Sequence, residues 1–147
     1  MSIFSSMNIN ATALTAERAR MDIISKNIAN AQTTRTKNGL PYRRQVAVFA
    51  EADGNVSSFN AILNNKRHKK DKGGVELVGV VEDKSDFKMK YDPGHPDADE
   101  NGYVKMSNVD LITEMVDMIS SQRSYEASAT AVNTSKAMLQ KAVEIGR

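Results

Sequence analysis

The sequence predicts an α+β protein in which long N- and C-terminal helices pair as a coiled-coil-like layer, with a small antiparallel β insert between them. Of the 147 residues, 40% are hydrophobic but only 5% are aromatic, so aliphatic and methionine side chains must supply the core. Both ends are poor in charge and free of internal helix breakers. The middle holds all three Pro, seven of the eight Gly and most of the charge. These contrasts predict two long helices flanking strands and turns.

The N-terminal part, residues 1–34, is predicted to be an assembly helix that runs from about residue 3 to residue 31. Alternating steps of three and four residues define the seam of a coiled coil. Six of the eight seam positions between Phe4 and Ile28 are apolar. Four of them are expected to form the N-terminal half of an assembly seam: Met7, Leu14, Met21 and Ile28.

The C-terminal part, residues 107–147, gives the stronger helical pattern. Ser107 and Asp110 stand at capping-box spacing, and a helix over residues 109–145 would be about 55 Å long. Eight of ten seam positions are apolar, and a second apolar row widens the stripe over the first turns. The residues expected to meet the N-terminal seam are Leu111, Met115, Met118, Tyr125, Val132 and Leu139.

Two such helices cannot bury stripes this wide against each other alone. The surplus apolar surface predicts further helices from other copies or partners. It also predicts that the ends of a free monomer are largely unfolded until partners arrive. We expect residues 1–34 and 107–147 to form one discontinuous domain.

The middle, residues 35–106, is predicted to be a β-rich insert. A short apolar run lies within residues 42–50, and residues 75–82 are rich in β-branched side chains. Residues 87–91 alternate apolar and polar side chains, as a half-buried strand does, and residues 103–106 are predicted to form a further short strand.

Candidate catalytic and metal-binding residues are scarce. The chain has no Cys and only two His, which excludes thiolate catalysis and cysteine zinc sites. Residues 97–102 match the first half of an EF-hand loop, but position 12 is Asn108, which cannot supply the bidentate carboxylate. The pattern favours an exposed Asx-type turn. We expect no catalytic residue, cofactor or metal, and the net charge of +2 argues against nucleic acid as the main partner.

A basic run at residues 66–72 lies in a loop predicted over residues 64–74. Like charges in a run usually form a solvated loop. The alternative function that this run leaves open is a coiled-coil adaptor whose basic loop docks on an anionic partner.

Several stretches together resemble bacterial flagellar basal-body rod and hook proteins, and among them the proximal-rod members. The matching stretches are Ala13-Leu14 with Ala16, Arg20-Met21-Asp22, Asn27-Ile28-Ala29-Asn30-Ala31-Gln32-Thr33-Thr34 with Arg35-Thr36, Pro41-Tyr42-Arg43-Arg44-Gln45, Tyr91-Asp92-Pro93-Gly94-His95-Pro96, Gly102-Tyr103-Val104-Lys105-Met106, Asn108-Val109-Asp110 with Glu114-Met115, and Arg123-Ser124-Tyr125-Glu126-Ala127 with Asn133-Thr134. The resemblance covers about residues 3–50 and 88–145.

The resemblance implies a structural subunit of the axial drive shaft that transmits torque from the motor to the hook and filament. It implies export by the flagellar type III apparatus without signal-peptide cleavage, and assembly in the periplasmic space with other copies and other rod proteins. It also suggests the residues that contact neighbouring subunits: Asn27, Ile28, Ala29, Asn30, Thr33 and Thr34. No direct membrane span is expected, because no apolar run approaches the ~20 residues required.

Overall fold

A computed structural model describes residues 3–52 and 73–146, and it confirms the α+β architecture of two long helices with an antiparallel β insert. The elements are α1 (Ile3–Ala29), β1 (Gln45–Glu51), β2 (Val75–Glu82), β3 (Lys88–Tyr91), β4 (Tyr103–Met106) and α2 (Leu111–Ile145). Neither helix in these ranges combines the length and hydropathy needed to cross a membrane. The basic run at residues 66–72 lies outside the described residues.

The helix boundaries follow from local side-chain hydrogen bonds. α1 ends at Ala29 rather than at residue 31, and the Asn30 amide donates to the Lys26 carbonyl over 2.9 Å. α2 begins at Leu111, and its N-cap is Asp110, whose Oδ1 accepts from the backbone N–H groups of Ile112 and Thr113 at 3.1 Å each. The prediction of a capping role for Ser107 is wrong, because its hydroxyl oxygen accepts instead from the Val109 N–H.

The two helices pack against each other and run antiparallel. Asn27, near the C-terminal end of α1, donates to Glu114 in the first turn of α2, which fixes their relative direction. α2 has 35 residues and α1 has 27, so α2 is the longer helix by about 12 Å.

The buried faces of the two helices differ in chemistry. α1 buries Ala16 and two isoleucines, whereas the buried residues of α2 are all polar. Small side chains allow two helices to approach closely. A face of α2 that carries small polar side chains can therefore lie at the centre of the pair. The buried residues are Ala16, Ile23, Ile24 and Asn27 on α1, and Glu114, Ser121 and Ser135 on α2.

The first hairpin, formed by β1 and β2, is antiparallel and packs on α1. Its register runs from Gln45 opposite Glu82 to Glu51 opposite Val75, and a bulge between Val48 and Phe49 shifts that register. The alternation along β1 turns Ala47 and Phe49 inward. The Phe49 ring lies under the Arg20 guanidinium, with 4.6 Å between the carbon and the ring centroid.

Side chains of α1 hold this hairpin at both ends. At one end, the Asn27 amide pairs with both the N–H and the C=O of Gln45, as a neighbouring strand would. At the other end, the Thr12 hydroxyl accepts from the Val75 N–H over 3.1 Å. Gly74 adopts φ 124°, and a Cβ there would lie 2.8 Å from Thr12 Oγ1. Glycine therefore permits the hairpin to reach the helix.

The second hairpin, formed by β3 and β4, lies before α2. Its buried residue is Val104, while Tyr91 and Tyr103 pack edge to face on its exposed side with their centroids 5.2 Å apart. The connecting loop contains the predicted Asx turn, because Asp99 Oδ1 accepts from the N–H groups of Asn101 and Tyr103. This hydrogen bonding accounts for the EF-hand-like residues as a turn.

Candidate assembly site

A buried hydrogen-bonded cluster joins α1, β1 and α2, and we call it the polar junction (Asn27, Tyr42, Arg44, Asn108 and Glu114). Asn27 is only 1% exposed, and both ends of its amide are used. Its Oδ1 accepts from the Tyr42 hydroxyl at 3.0 Å and from the Gln45 N–H at 2.9 Å. Its Nδ2 donates to the Gln45 carbonyl at 2.8 Å and to Glu114 Oε2 at 3.0 Å. One side chain thus connects three elements.

Glu114 is the charged centre of the polar junction, and its exposure is 0%. Its Oε1 accepts from Arg44 Nε, and Arg44 also pairs with Asp117 Oδ2 at 3.3 Å. A buried carboxylate is costly unless it is both paired and hydrogen-bonded. Here Asn27 and Arg44 together meet that requirement, one on each carboxylate oxygen.

Asn108 extends the polar junction to the loop after β2. Its Oδ1 accepts from the Arg44 N–H at 2.7 Å, while its Nδ2 donates to the Asp83 carbonyl and to the Ser85 hydroxyl. The segment entering α2 is therefore fixed to the start of β1. Among the described residues, no buried side-chain nitrogen or oxygen lacks a hydrogen-bond partner.

The pKa values of the junction residues support a structural role. Burial raises the pKa of Tyr42, and the negative charges of Glu114 and Glu82 add to the effect, so its hydroxyl stays a proton donor to Asn27. Burial by itself would lower the pKa of Arg44, but the hydrogen bond and charge of Glu114, with Asp117 and Asp83, raise it. Arg44 therefore remains a cation opposite Glu114.

A cleft of about 300 Å³ opens beside the polar junction between α1, β1 and α2. Its charged lining pairs internally, Arg44 with Glu114 and Asp117, and Arg20 with Glu17. In the ranges that the structure describes, no group of three His, Asp or Glu side chains is arranged to hold a metal ion.

The ten predicted seam residues lie at the margins of the helix pair rather than at its centre. Seven are half-buried, and three on α2 are exposed: Leu111, Met115 and Tyr125. On the α2 side, the centre of the pair is instead lined by small and polar residues, which apolar periodicity does not detect; the α1 side of the centre includes the buried Ile23 and Ile24. The role of the seam in assembly stays a prediction.

The six predicted subunit-contact residues are largely engaged within their own chain. Asn27 belongs to the polar junction, and the Asn30 Oδ1 accepts from the Thr33 hydroxyl. The Thr34 hydroxyl donates to Asp97 Oδ2 at 2.9 Å, which ties the turn after α1 to the loop of the second hairpin. Ile28 is half-buried and Ala29 is exposed. Subunit contact by this segment stays a prediction.

Sequence reasoning missed the ion pair of Arg44 with Glu114, although both residues lie in the stretches quoted for the family resemblance. One signal was available for Glu114. It begins a heptad series on α2 that continues with serine at residues 121, 128 and 135, so an acidic residue shares a face with small ones.

Comparison with known proteins defines the class. The family described as "Flagella basal body rod protein" matches residues 7–37, and "Flagellar basal body rod FlgEFG protein C-terminal" matches residues 100–145. The chain belongs to the flagellar basal-body rod protein family. These matches cover most of α1 and all of α2, and they leave most of the β insert unmatched.

Relatives that match over their whole length are rod proteins of one kind, named FlgC. The flagellar basal-body rod protein FlgC of Bacillus subtilis (strain 168) is 49% identical, over 100% of both chains. FlgC of Borreliella burgdorferi is 46% identical over 99% of this chain and 98% of its own. FlgC of Salmonella typhimurium is 36% identical over 100% of both. The resemblance expected from the sequence motifs is thereby confirmed.

Proposed function

We propose that this chain is a structural subunit of the proximal rod of the bacterial flagellum, carrying torque along the axial drive shaft from the motor to the hook and filament. The role is mechanical: packed side chains transmit force, and no residue needs to act as a catalyst. The membership in the rod family and the full-length similarity to FlgC proteins support this proposal.

The observation that carries the proposal is the exposed apolar stripe along the first turns of α2. Ile112 is 76% exposed, Val116 60% and Met115 49%, and Leu111 and Ile119 extend the stripe. A contiguous apolar surface of this kind marks an interaction site in a soluble chain. In the proposed assembly, helices of other copies and of other rod proteins cover it. Contacts between different faces of successive subunits do not close, so they generate a tube.

The proposed route to that assembly is export by the flagellar type III apparatus without cleavage of a signal peptide, followed by incorporation in the periplasmic space. Absence of Cys suits passage into an oxidising compartment. The subunit arrives without partners, and its seam residues become covered as the rod grows.

The test is a Met115→Asp substitution in cells that lack the natural copy. Met115 is half exposed and outside the polar junction, so the monomer is expected to keep its fold while the charge disrupts packing between subunits. We expect loss of motility and loss of the protein from purified basal bodies. The matched control is Thr113→Asp, an exposed position on the same turn but outside both apolar rows.

A second substitution tests the far part of the seam. Leu139→Asp is expected to abolish assembly while the β insert stays folded. Normal rods from cells carrying either seam substitution, with the protein present at its usual level, would refute the seam assignment and with it this mechanism of assembly.

A further inference from the structure

The face that α2 presents to α1 repeats itself every seven residues. Ser121 and Ser135 are buried and Ser128 is half-buried, and the three lie one heptad apart. A heptad is about two helical turns, or about 10.5 Å of rise. If α2 slid along α1 by this distance, serines would replace serines at the centre of the pair. The small-residue packing alone therefore specifies the register weakly.

Glu114 breaks this repeat. It occupies the first position of the same series, at 0% exposure, and contacts two residues that do not belong to α2. Sliding α2 by one heptad in the direction that brings Ser121 level with Asn27 would remove the carboxylate from both Asn27 and Arg44. A serine hydroxyl could not replace the two contacts that the carboxylate makes, one on each oxygen, and Glu114 would lose its cationic partner.

We propose that Glu114 sets the register of the helix pair: the buried carboxylate selects one of several nearly equivalent alignments of α2 on α1. A single buried polar residue is known to fix register in coiled coils, at a cost in stability. Here the same interaction also sets where β1 begins, because Asn27 and Arg44 hold the first hairpin. The helix register and the position of the hairpin are thus coupled through one side chain.

The register can be measured directly because the natural chain has no Cys, so introduced cysteine pairs are unambiguous. Ala13 is 14 residues before Asn27, and Ser128 is 14 residues after Glu114, so the two lie level in the antiparallel pair. Ser121 and Ser135 lie one heptad to either side. The full-length chain is prepared with Ala13→Cys combined with Ser128→Cys, Ser121→Cys or Ser135→Cys, and intramolecular disulfide yield is measured by mass after mild oxidation in dilute solution.

In the natural background we expect the Ser128→Cys pair to form in at least about tenfold excess over either shifted pair. With Glu114→Ser, which extends the serine series, we expect the excess to fall severalfold. The yield of a shifted pair should then rise above the yield that the same pair gives in denaturing urea. The conservative Glu114→Gln, which retains an acceptor for Asn27, should keep more of the preference. Glu126→Ser makes the same change at an exposed position of α2 and should leave the preference intact.

The urea reference separates a shifted register from unfolding, since an unfolded chain gives shifted pairs only at the denatured yield. The proposal is overturned if the Ser128→Cys pair is not preferred in the natural background. It is equally overturned if the preference survives Glu114→Ser, or if the shifted yield in that variant stays at the denatured level. If the preference for the Ser128→Cys pair survives Glu114→Ser, the register is set instead by the segment before α2, which Asn108 fixes to β1.

Discussion

The two ends of the helix pair are built on different principles. Where α1 ends and α2 begins, the polar junction buries an ion pair and an asparagine whose hydrogen bonds are all made within the chain. At the opposite end, where α2 finishes, Val143 is 69% exposed and Ile145 is 86% exposed. The last turn of α2 contains no basic residue that would complement the helix dipole.

This difference shows which end of the helix pair is held together by contacts within the chain. The polar junction satisfies its own buried groups and fixes the first hairpin, so it is expected to be the most stable region of a free subunit. Apolar side chains are exposed at both ends, such as Ile112 near the polar junction and Ile145 at the far end, but the described residues of the far end have no buried ion pair that joins the elements. The unfolding expected for the ends of a free monomer should therefore begin at the far end and stop at the polar junction.

The largest loss of stability is expected from Arg44→Ala, because this substitution leaves the buried Glu114 carboxylate without a cation. Removing one partner of a buried pair costs about 3 kcal/mol or more. The free energy of unfolding, measured by urea denaturation with circular dichroism, should fall by about that amount. Met138→Ala truncates a side chain at the far end that is already exposed, and it should change stability by less than about 0.5 kcal/mol. Equal effects of the two substitutions would remove the distinction between the ends.

The two asparagines of the motif at the end of α1 offer a matched pair. Asn27→Ala leaves the Gln45 backbone groups and Glu114 without their partner, and we expect a loss of about 2 kcal/mol. Asn30→Ala removes an exposed hydrogen bond to the Lys26 carbonyl and should cost below about 1 kcal/mol. The same denaturation measurement ranks them, and a larger effect at Asn30 would contradict the assignment of Asn27 to the polar junction.

A smaller loss of stability is expected from a substitution where the first hairpin contacts the middle of α1. Gly74→Ala forces a side chain onto a backbone with φ 124° and against Thr12, so we expect a loss of about 1–2 kcal/mol. At Gly79, in β2, an added Cβ meets nothing within 4 Å. Gly79→Ala should therefore change the free energy of unfolding by less than about 0.5 kcal/mol. If both variants unfold at the same urea concentration, Thr12 does not hold the hairpin.

The smallest expected effect is on the loss of stability at low pH. The pKa of Asp110 is lowered, first by the Thr113 N–H and then by Lys88, and the pKa of Asp83 is lowered by its hydrogen bonds with Ser85. The stabilisation from both carboxylates is present above the unfolded value of about 3.9 and is lost as the pH falls through the lower folded values. Asp110→Asn keeps the capping oxygen but not the charge. Urea midpoints should therefore fall less between about pH 6 and about pH 3 in this variant than in the natural chain, and an unchanged pH dependence would argue against the cap.

Local pattern was enough to predict the helices and the four strands within residues 3–52 and 73–146, because apolar periodicity, glycine and proline act over a few residues. It placed the start of α2 two residues early, since capping depends on which side-chain oxygen reaches the free amides, and Asp110 does so instead of Ser107. Local pattern did not predict which residues of α2 line the centre of the helix pair. A search for apolar side chains treats serine as exposed, yet Ser121 and Ser135 are buried where the helices approach closely.

The sequence by itself determined the order of elements, the placement of charge in the insert and the motifs of the rod family. Only the tertiary structure decided the polar junction, because Asn27, Arg44 and Glu114 are far apart along the chain and each resembles an ordinary surface residue there. Their meeting depends on how α1, β1 and α2 pack. Once Glu114 is removed from water, its charge must be paired and hydrogen-bonded, and Arg44 and Asn27 meet that requirement.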